Sequence, residues 1–169
     1  IYATVLGGAK ISDRLEAINT LIANNRADKV LLTGMVGNVF LKAAGQLDAP
    51  LEIQDEDKYV KQAKRLLTNH PDVFEMPKDV AIKSNDSRAE VTIKELGIND
   101  KILDIGSVTI DNYSRIIRSS GTIFMSGPPG MFEDNRFSKG TEELLRAMTS
   151  SLGTTIVSGG HLSAALERI

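Results

Sequence analysis

The order of runs along this 169-residue chain predicts an α/β fold, three layers deep, with a doubly wound and mostly parallel sheet at its centre. Three observations carry that prediction. Short β-branched or apolar runs (residues 2–6, 29–33, 79–82, 102–105, 122–125 and 154–157) alternate with segments of helical period. Short crossovers join them, which implies parallel strands with helices on both faces of the sheet. Nearly every strand run also ends in glycine: Gly7-Gly8, Gly34, Gly106, Gly127 and Gly159-Gly160.

Tyr2 to Leu6 reads as a buried strand. After Gly7-Gly8, Asp13 and Glu16 make a capping box, and Leu15, Ile18 and Ile22 share one face of a helix. Residues 29–33 form the next strand, followed by a helical stretch to Ala44 that closes on Gly45. The segment 55–69 opens acidic and ends basic at Lys61, Lys64 and Arg65, which suits a helix dipole. Its Val60, Ala63 and Leu67 face inward, and Pro71 stops it. Residues 79–82 are a strand, 84–88 a polar excursion and 91–93 a short edge strand. The 102–105 strand ends at Gly106, and Thr109 caps a helix whose apolar face is Ile110, Tyr113 and Ile117. The 122–125 strand enters Ser126-Gly127-Pro128-Pro129-Gly130. A helix opening near Ser138 then aligns Leu144, Leu145, Met148 and Leu152. The last strand passes through Ser158-Gly159-Gly160 into a final helix.

Composition narrows the function classes. The length fits one domain, 1–169, and 41% hydrophobic with 25% charged residues is an ordinary globular balance. The absence of cysteine excludes disulfides, thiolate metal sites and a thiol nucleophile. No apolar run approaches the roughly 18 residues of a membrane span, and a net charge of -2 gives no general attraction to nucleic acid or anionic lipid. The chain opens on Ile1 with no signal-type leader and closes on a helix without a glycine stop, so it reads as an excerpt of a longer protein.

In a parallel sheet the carboxyl ends of the strands share one edge, so the five glycine clusters converge on one crevice suited to a large ligand. Gly127 and Gly130 let the backbone pass close to such a ligand, while Pro128 and Pro129 stiffen the path between them. Glu133 supplies an acceptor for a hydroxyl pair such as a ribose. Lys10 and Arg14, four residues apart at a helix start beside Gly7-Gly8, can neutralise a phosphoryl group in flight. Neither G-x-G-x-x-G nor G-x-x-x-x-G-K-[ST] is present; the first absence weakens a dinucleotide dehydrogenase and the second excludes a standard Walker nucleotidase. A different glycine-edged α/β enzyme, such as a dehydrogenase, stays open as the alternative. Asp55-Glu56-Asp57 is explained by an acidic first helical turn, and His70 by a helix end.

The blocks Leu6-Gly7-Gly8-Ala9-Lys10 with Asp13, Phe40-Leu41-Lys42, Leu103-Asp104-Ile105-Gly106, Gly127-Pro128 through Phe132-Glu133, Phe137, Lys139-Gly140-Thr141 and Gly159-Gly160-His161 follow one another in order. Together they resemble phosphoglycerate kinase, specifically its carboxyl-terminal, nucleotide-binding domain. The resemblance implies one Rossmann-like domain of a two-domain, cytoplasmic, monomeric kinase of glycolysis. It implies Mg-ADP and Mg-ATP as cofactors, and 1,3-bisphosphoglycerate and 3-phosphoglycerate as partners held by an amino-terminal domain preceding Ile1. Carried over by position, Lys10 and Arg14 would contact the transferred phosphoryl and the nucleotide phosphates. Gly159 and Gly160 would offer catalytic backbone N–H groups. Gly34 and Gly106 would line the adenine slot, Gly127 and Pro128 a neighbouring wall, Glu133 would accept from the ribose, and Gly8 would belong to the same nucleotide site. Arg14 stands where a lysine is commonest in the family, Ser126 where an asparagine is, and Ser158 where a third glycine is. His161 takes the place of a metal-associated aspartate, which looks like the archaeal-type branch. Ser158 and His161 would complete the nucleotide site, with His161 a phosphate donor or helix cap rather than a metal ligand, since Mg²⁺ prefers oxygen.

Overall fold

A computed structural model describes all residues, 1–169. Eight strands and six helices follow in the order β1 (Tyr2–Leu6), α1 (Ile11–Ala23), β2 (Lys29–Leu32), α2 (Gly34–Ala43), α3 (Glu56–Asn69), β3 (Phe74–Glu75), β4 (Asp79–Ser84), β5 (Ser87–Thr92), β6 (Ile102–Ile105), α4 (Ser107–Ser119), β7 (Thr122–Ser126), α5 (Lys139–Thr149), β8 (Thr154–Ser158) and α6 (Gly160–Leu166). The main sheet is parallel, with strand order β3-β2-β1-β7-β8. Side chains alternate between its faces, as the pleat requires. Ala3, Val5, Leu31, Ile123 and Met125 point into a core with α4, α5 and α6. Leu6, Val30 and Leu32 point the other way, into a core with α1, α2 and α3. The three-layer, doubly wound expectation is met.

Four local expectations are corrected. The strands at 79–82 and 102–105 do not belong to the parallel sheet: β4 and β6 form a separate antiparallel sheet of order β5-β4-β6. The cause is the polar segment 84–88, which is the turn of a hairpin. Asn85 and Asp86 adopt left-handed backbone (φ 48° and 62°), the turn geometry that matches strand twist, and β5 returns along β4 over its whole length. The edge strand therefore starts earlier than expected and ends at Thr92, with Ile93 in a 3₁₀ turn. The Asp13–Glu16 capping box does not form, because α1 already begins at Ile11, with no side-chain cap. On α5, the helix ends at Thr149 and Leu152 lies beyond it, fully exposed.

The fourth correction concerns α4. Thr109 is not its cap but sits inside the first turn, fully buried. The cap comes from 30 residues upstream. The Asp79 carboxylate accepts from the N–H groups of Val108 (3.0 Å) and Thr109 (2.8 Å) and from the Thr109 hydroxyl (2.7 Å). It thereby satisfies amides that a helix start leaves without partners, and places a negative charge at the positive end of the dipole. Further along α4, the buried Tyr113 hydroxyl lies 2.9 Å from the Leu32 carbonyl and 2.8 Å from that of Glu75, sharing its proton between the ends of β2 and β3. Asp79→Ala should lower the unfolding free energy by about 2 kcal/mol, the upper range for a lost cap. Denaturant melts check this, and an unchanged midpoint would mean that α4 is held by packing alone.

Candidate functional site

Register places the glycines. Leu6 lies opposite both Leu32 and Ser126, and Ser126 lies opposite Ser158, so four strands of the parallel sheet stop on one row. The next residues are Gly7, Thr33 (then Gly34), Gly127 and Gly159. The strand order reverses at β1, so the switch point of the sheet falls between β1 and β7, where open α/β folds hold ligands. Gly7-Gly8 and Gly127 flank that point.

The loop after β7 stitches the row together. Gly7 N–H donates to the Ser126 carbonyl (2.9 Å), Gly8 N–H to that of Pro128 (2.8 Å), and Gly34 N–H to that of Pro129 (3.1 Å). Met35 N–H donates to the Gly8 carbonyl at 3.0 Å. Two positions here demand glycine both by backbone conformation and by space. Gly34 has φ +58°, and a Cβ would stand 2.6 Å from the Gly8 nitrogen; Gly127 has φ +79°, and its Cβ would overlap the Gly7 carbonyl. Thr33, which sequence reasoning passed over, is fully buried and donates its hydroxyl to the Leu6 carbonyl at 2.9 Å.

Arg14 reaches back from α1 to this cluster. Its Nε donates to the Gly7 carbonyl at 3.0 Å, and a guanidinium nitrogen would stand 2.9 Å from a Cβ on Gly127. Burial pushes its pKa below the ordinary arginine value, with the neighbouring Asp13 acting in the opposite sense. Lys10 is exposed at the start of α1. With Ala9, Ser12 and Asp13 it lines a surface hollow of about 440 Å³ whose other wall is Ile53, Gln54 and Tyr59. Those three wall residues left no signal in the sequence, because Ile53 and Gln54, just before α3, and Tyr59, in its first turns, meet the α1 start only through tertiary packing.

Across the row, Glu133 and His161 face each other. Nδ1 of His161 lies 3.6 Å from a Glu133 carboxylate oxygen, both side chains are exposed, and the imidazole packs edge-on to Phe132 with centroids 6.0 Å apart. Ser158 ends β8, and Gly159 (φ 113°) turns the chain into α6. Gly106 stands apart from the row. It caps α4 in the antiparallel layer, its N–H donates to the Asp79 carbonyl at 3.0 Å, and its lost side chain makes room for the Asp79 carboxylate. The expectation that all five clusters sit at equivalent strand ends of one parallel sheet therefore fails for Gly106. The antiparallel layer still meets the row, because Met131 N–H donates to the Leu103 carbonyl at 2.9 Å.

This fold and this glycine-lined switch point define a Rossmann-like, three-layer α/β domain. The family model described as "PGK: Phosphoglycerate kinase" matches residues 1–169, and the chain belongs to the phosphoglycerate kinase family, as an archaeal-type domain of it. The phosphoglycerate kinases of Methanothermus fervidus and Methanobacterium bryantii are both 39% identical to it over 98% of this chain. The chain spans 41% of the length of each. Two solved structures superpose closely: phosphoglycerate kinase from Pyrococcus horikoshii OT3 (TM-score 0.89, 31% identity) and from Coxiella burnetii (TM-score 0.87, 28% identity). Each match covers 99% of this chain and 44% of the other.

One ion-pair group fixes the segment that carries Glu133. The Arg136 guanidinium holds Asp134 at 2.6 Å and Asp86, on the β4–β5 turn, at 2.7 Å. The side chain of Arg136, then its backbone N–H, holds the Asp134 carboxyl down at about 2. A carboxyl depressed in the folded state stabilises above its ordinary 3.8 and loses that contribution as pH falls through about 2. The stability difference between the parent chain and Asp134→Asn should therefore be positive at neutral pH and shrink to nothing across that interval. Chemical denaturation at a series of acid pH values tests it, and a pH-independent difference would contradict the pairing.

Proposed function

We propose that this chain is the carboxyl-terminal, nucleotide-binding domain of a phosphoglycerate kinase, and that it binds Mg-ADP and Mg-ATP along the row of strand ends. The observation that carries the reading is the register: Gly7-Gly8, Gly34 and Gly127 meet at the switch point of the sheet, with Arg14 and Lys10 beside them. The reaction of the whole protein is then reversible transfer of the acyl phosphate of 1,3-bisphosphoglycerate to ADP. The acyl phosphate is already activated, so the protein supplies position and charge and no covalent intermediate is needed.

The hydrogen bonds divide the work among the residues. The Gly8 and Gly34 amides are already spent on proline carbonyls, so those glycines serve as close-approach walls for the adenine side. Pro128 and Gly127 form the neighbouring wall, and Gly106 lies behind, in the antiparallel layer. Phosphate charge falls to Lys10, Arg14 and the first turn of α6, where Gly159 and Gly160 lead into amides with no intrahelical acceptor. Glu133 accepts from the ribose hydroxyls. His161, within reach of Glu133, donates toward the phosphates.

Mg²⁺ enters with the nucleotide. The imidazole of His161 is a poor partner for this ion, which prefers oxygen, so on this reading its ligands are phosphate and water oxygens. The phosphoglycerate belongs on a preceding domain of the full protein, which we read as a cytoplasmic monomer. Within this chain, basic side chains such as Lys61, Lys64 and Arg65 gather on the outer face of α3, away from the glycine row.

Calorimetric titration with Mg-ADP, Mg-ATP and NAD should give binding of the adenine di- and triphosphates and none of NAD; preference for NAD would favour the dehydrogenase alternative. Glu133→Ala should weaken Mg-ADP by about 1–3 kcal/mol, the scale of a hydrogen bond to a charged acceptor. An unchanged affinity removes Glu133 from the site. In the full-length protein, Lys10→Ala should lower kcat by orders of magnitude with a modest effect on nucleotide affinity, because a charge serving the moving phosphoryl acts mainly in the transition state. The chain alone should show no phosphoglycerate-dependent ATP turnover in a coupled assay, and turnover without the amino-terminal domain would overturn this placement of the second substrate.

A further inference from the structure

We propose that Asp104 is the positioning residue of the glycine row: its buried carboxylate, clamped by Arg88, sets the seat of the 127–130 loop and, through that loop, the Gly8 and Gly34 turns. Asp104 lies in β6 among apolar neighbours, and its side chain is wholly buried. One carboxylate oxygen accepts from Arg88 Nη1 at 2.8 Å and from the Gly140 N–H at the start of α5, also at 2.8 Å. The other accepts from the Ile105 N–H at 2.9 Å. Backbone closes on this second oxygen from two sides, because a methyl group on Gly130 or on Gly140 would overlap it.

Arg88 is held as firmly as its partner. It donates to the Arg136 carbonyl (3.1 Å), to the Ile105 carbonyl (2.9 Å) and to Glu90 (3.0 Å), so one guanidinium joins β5, β6 and the turn that precedes α5. The path onward is continuous. Gly130 rests on the Asp104 carboxylate, Met131 N–H is bonded to the Leu103 carbonyl, and the carbonyls of Pro128 and Pro129 hold the Gly8 and Gly34 amides. A buried charge pair adds little net stability compared with apolar side chains of similar volume. What it supplies is direction: three donors at fixed angles under a loop that must sit accurately for anything to bind above it. Asparagine keeps the size of the side chain but replaces one acceptor oxygen with a donor that faces Gly140 and Arg88.

The consequence for ligand affinity rests on the nucleotide reading; the structural role does not, and two arms keep them apart. In the ligand-free chain, Asp104→Asn should speed amide hydrogen exchange at Gly8, Gly34 and Met131 by about tenfold or more, with Val5 and Leu31 in the sheet unchanged. A control of matched melting temperature, Ile117→Val in the α4 core, should leave those three amides as they were. At a temperature where both variants are folded, Asp104→Asn should weaken Mg-ADP by about tenfold or more and Ile117→Val should not, the scale for losing a group that orients a binding site. Arg88→Lys, which keeps the charge but loses the planar fork, should give the same exchange pattern at smaller size, and decides the matter if Asp104→Asn fails to fold. Unchanged exchange at the three amides, or equal acceleration in Ile117→Val, overturns the proposal. Failure of the parent chain to bind Mg-ADP overturns the nucleotide reading, while the exchange arm still decides the role of Asp104.

Discussion

The hydrogen bonds from Gly7, Gly8 and Gly34 to the carbonyls of Ser126, Pro128 and Pro129 are the constraint on which the rest of this structure depends. A parallel sheet leaves its strand ends as a row of loose turns, each free to leave the register. Here the end of β7 and the loop after it reach two of them and accept three amides, from Gly7 and Gly8 after β1 and from Gly34 after β2. Proline suits this loop for a specific reason: it removes a donor that would need its own partner, yet keeps the carbonyl that does the binding, with φ already fixed. The same bonds settle which groups remain available. Gly8 and Gly34 can only be approached, whereas Lys10, Arg14 and the first turn of α6 still have donors to give.

The second sheet exists to support that loop from below. β4, β5 and β6 pack beside α2 through Leu41, Leu47 and Ala49, with Ile93, Leu96 and Ile102 against them, and they carry Asp79 and Asp104 to the starts of α4 and α5. Each carboxylate caps a helix far along the chain from itself, so two of the three helices covering one face of the main sheet, α4 and α5, are anchored to the antiparallel layer. Burial pushes the Asp104 carboxyl up, against the Gly140 and Arg88 hydrogen bonds that pull it down. A carboxyl raised in the folded state lowers stability as pH climbs through the interval between its unfolded and folded values. The geometric role therefore rests on the hydrogen bonds themselves, from Arg88, Gly140 and Ile105.

This division also explains what was legible in the sequence. The glycine row could be read because it is local: each glycine follows its own strand, and register then aligned Gly7, Gly127 and Gly159 without further information. The antiparallel hairpin carried a signal at Asn85-Asp86, adjacent residues that tolerate left-handed backbone, but the alternation of strands and helices outweighed it. The Asp79 and Asp104 caps were not readable, since their partners lie 30 and 36 residues away and a carboxylate in an apolar strand names no partner. The Asp13–Glu16 box failed for a related reason. Its local pattern is sound, but the helix starts three residues earlier, with Lys10 at the cap position in place of Asp13.

The openness of the site follows from the same architecture. The strand ends form a platform rather than a pocket: Lys10, Glu133, Gly159 and His161 are all exposed, and the hollow beside Lys10 is lined by the start of α1 on one side and by Ile53, Gln54 and Tyr59 on the other. A platform of this kind can fix a nucleotide by its edge and its phosphates, but it cannot exclude water from a phosphoryl group in transfer. If Lys10 and Arg14 act as proposed, water must be excluded for their charges to reach full effect, because charges are strongly screened in an open site. On the proposed reading, a second surface has to close over this row before transfer can begin. The platform must then be rigid before that surface arrives, because a loop that shifted on closure would spend binding energy on its own ordering. The proline carbonyls and the carboxylate beneath Gly130 meet that requirement in advance.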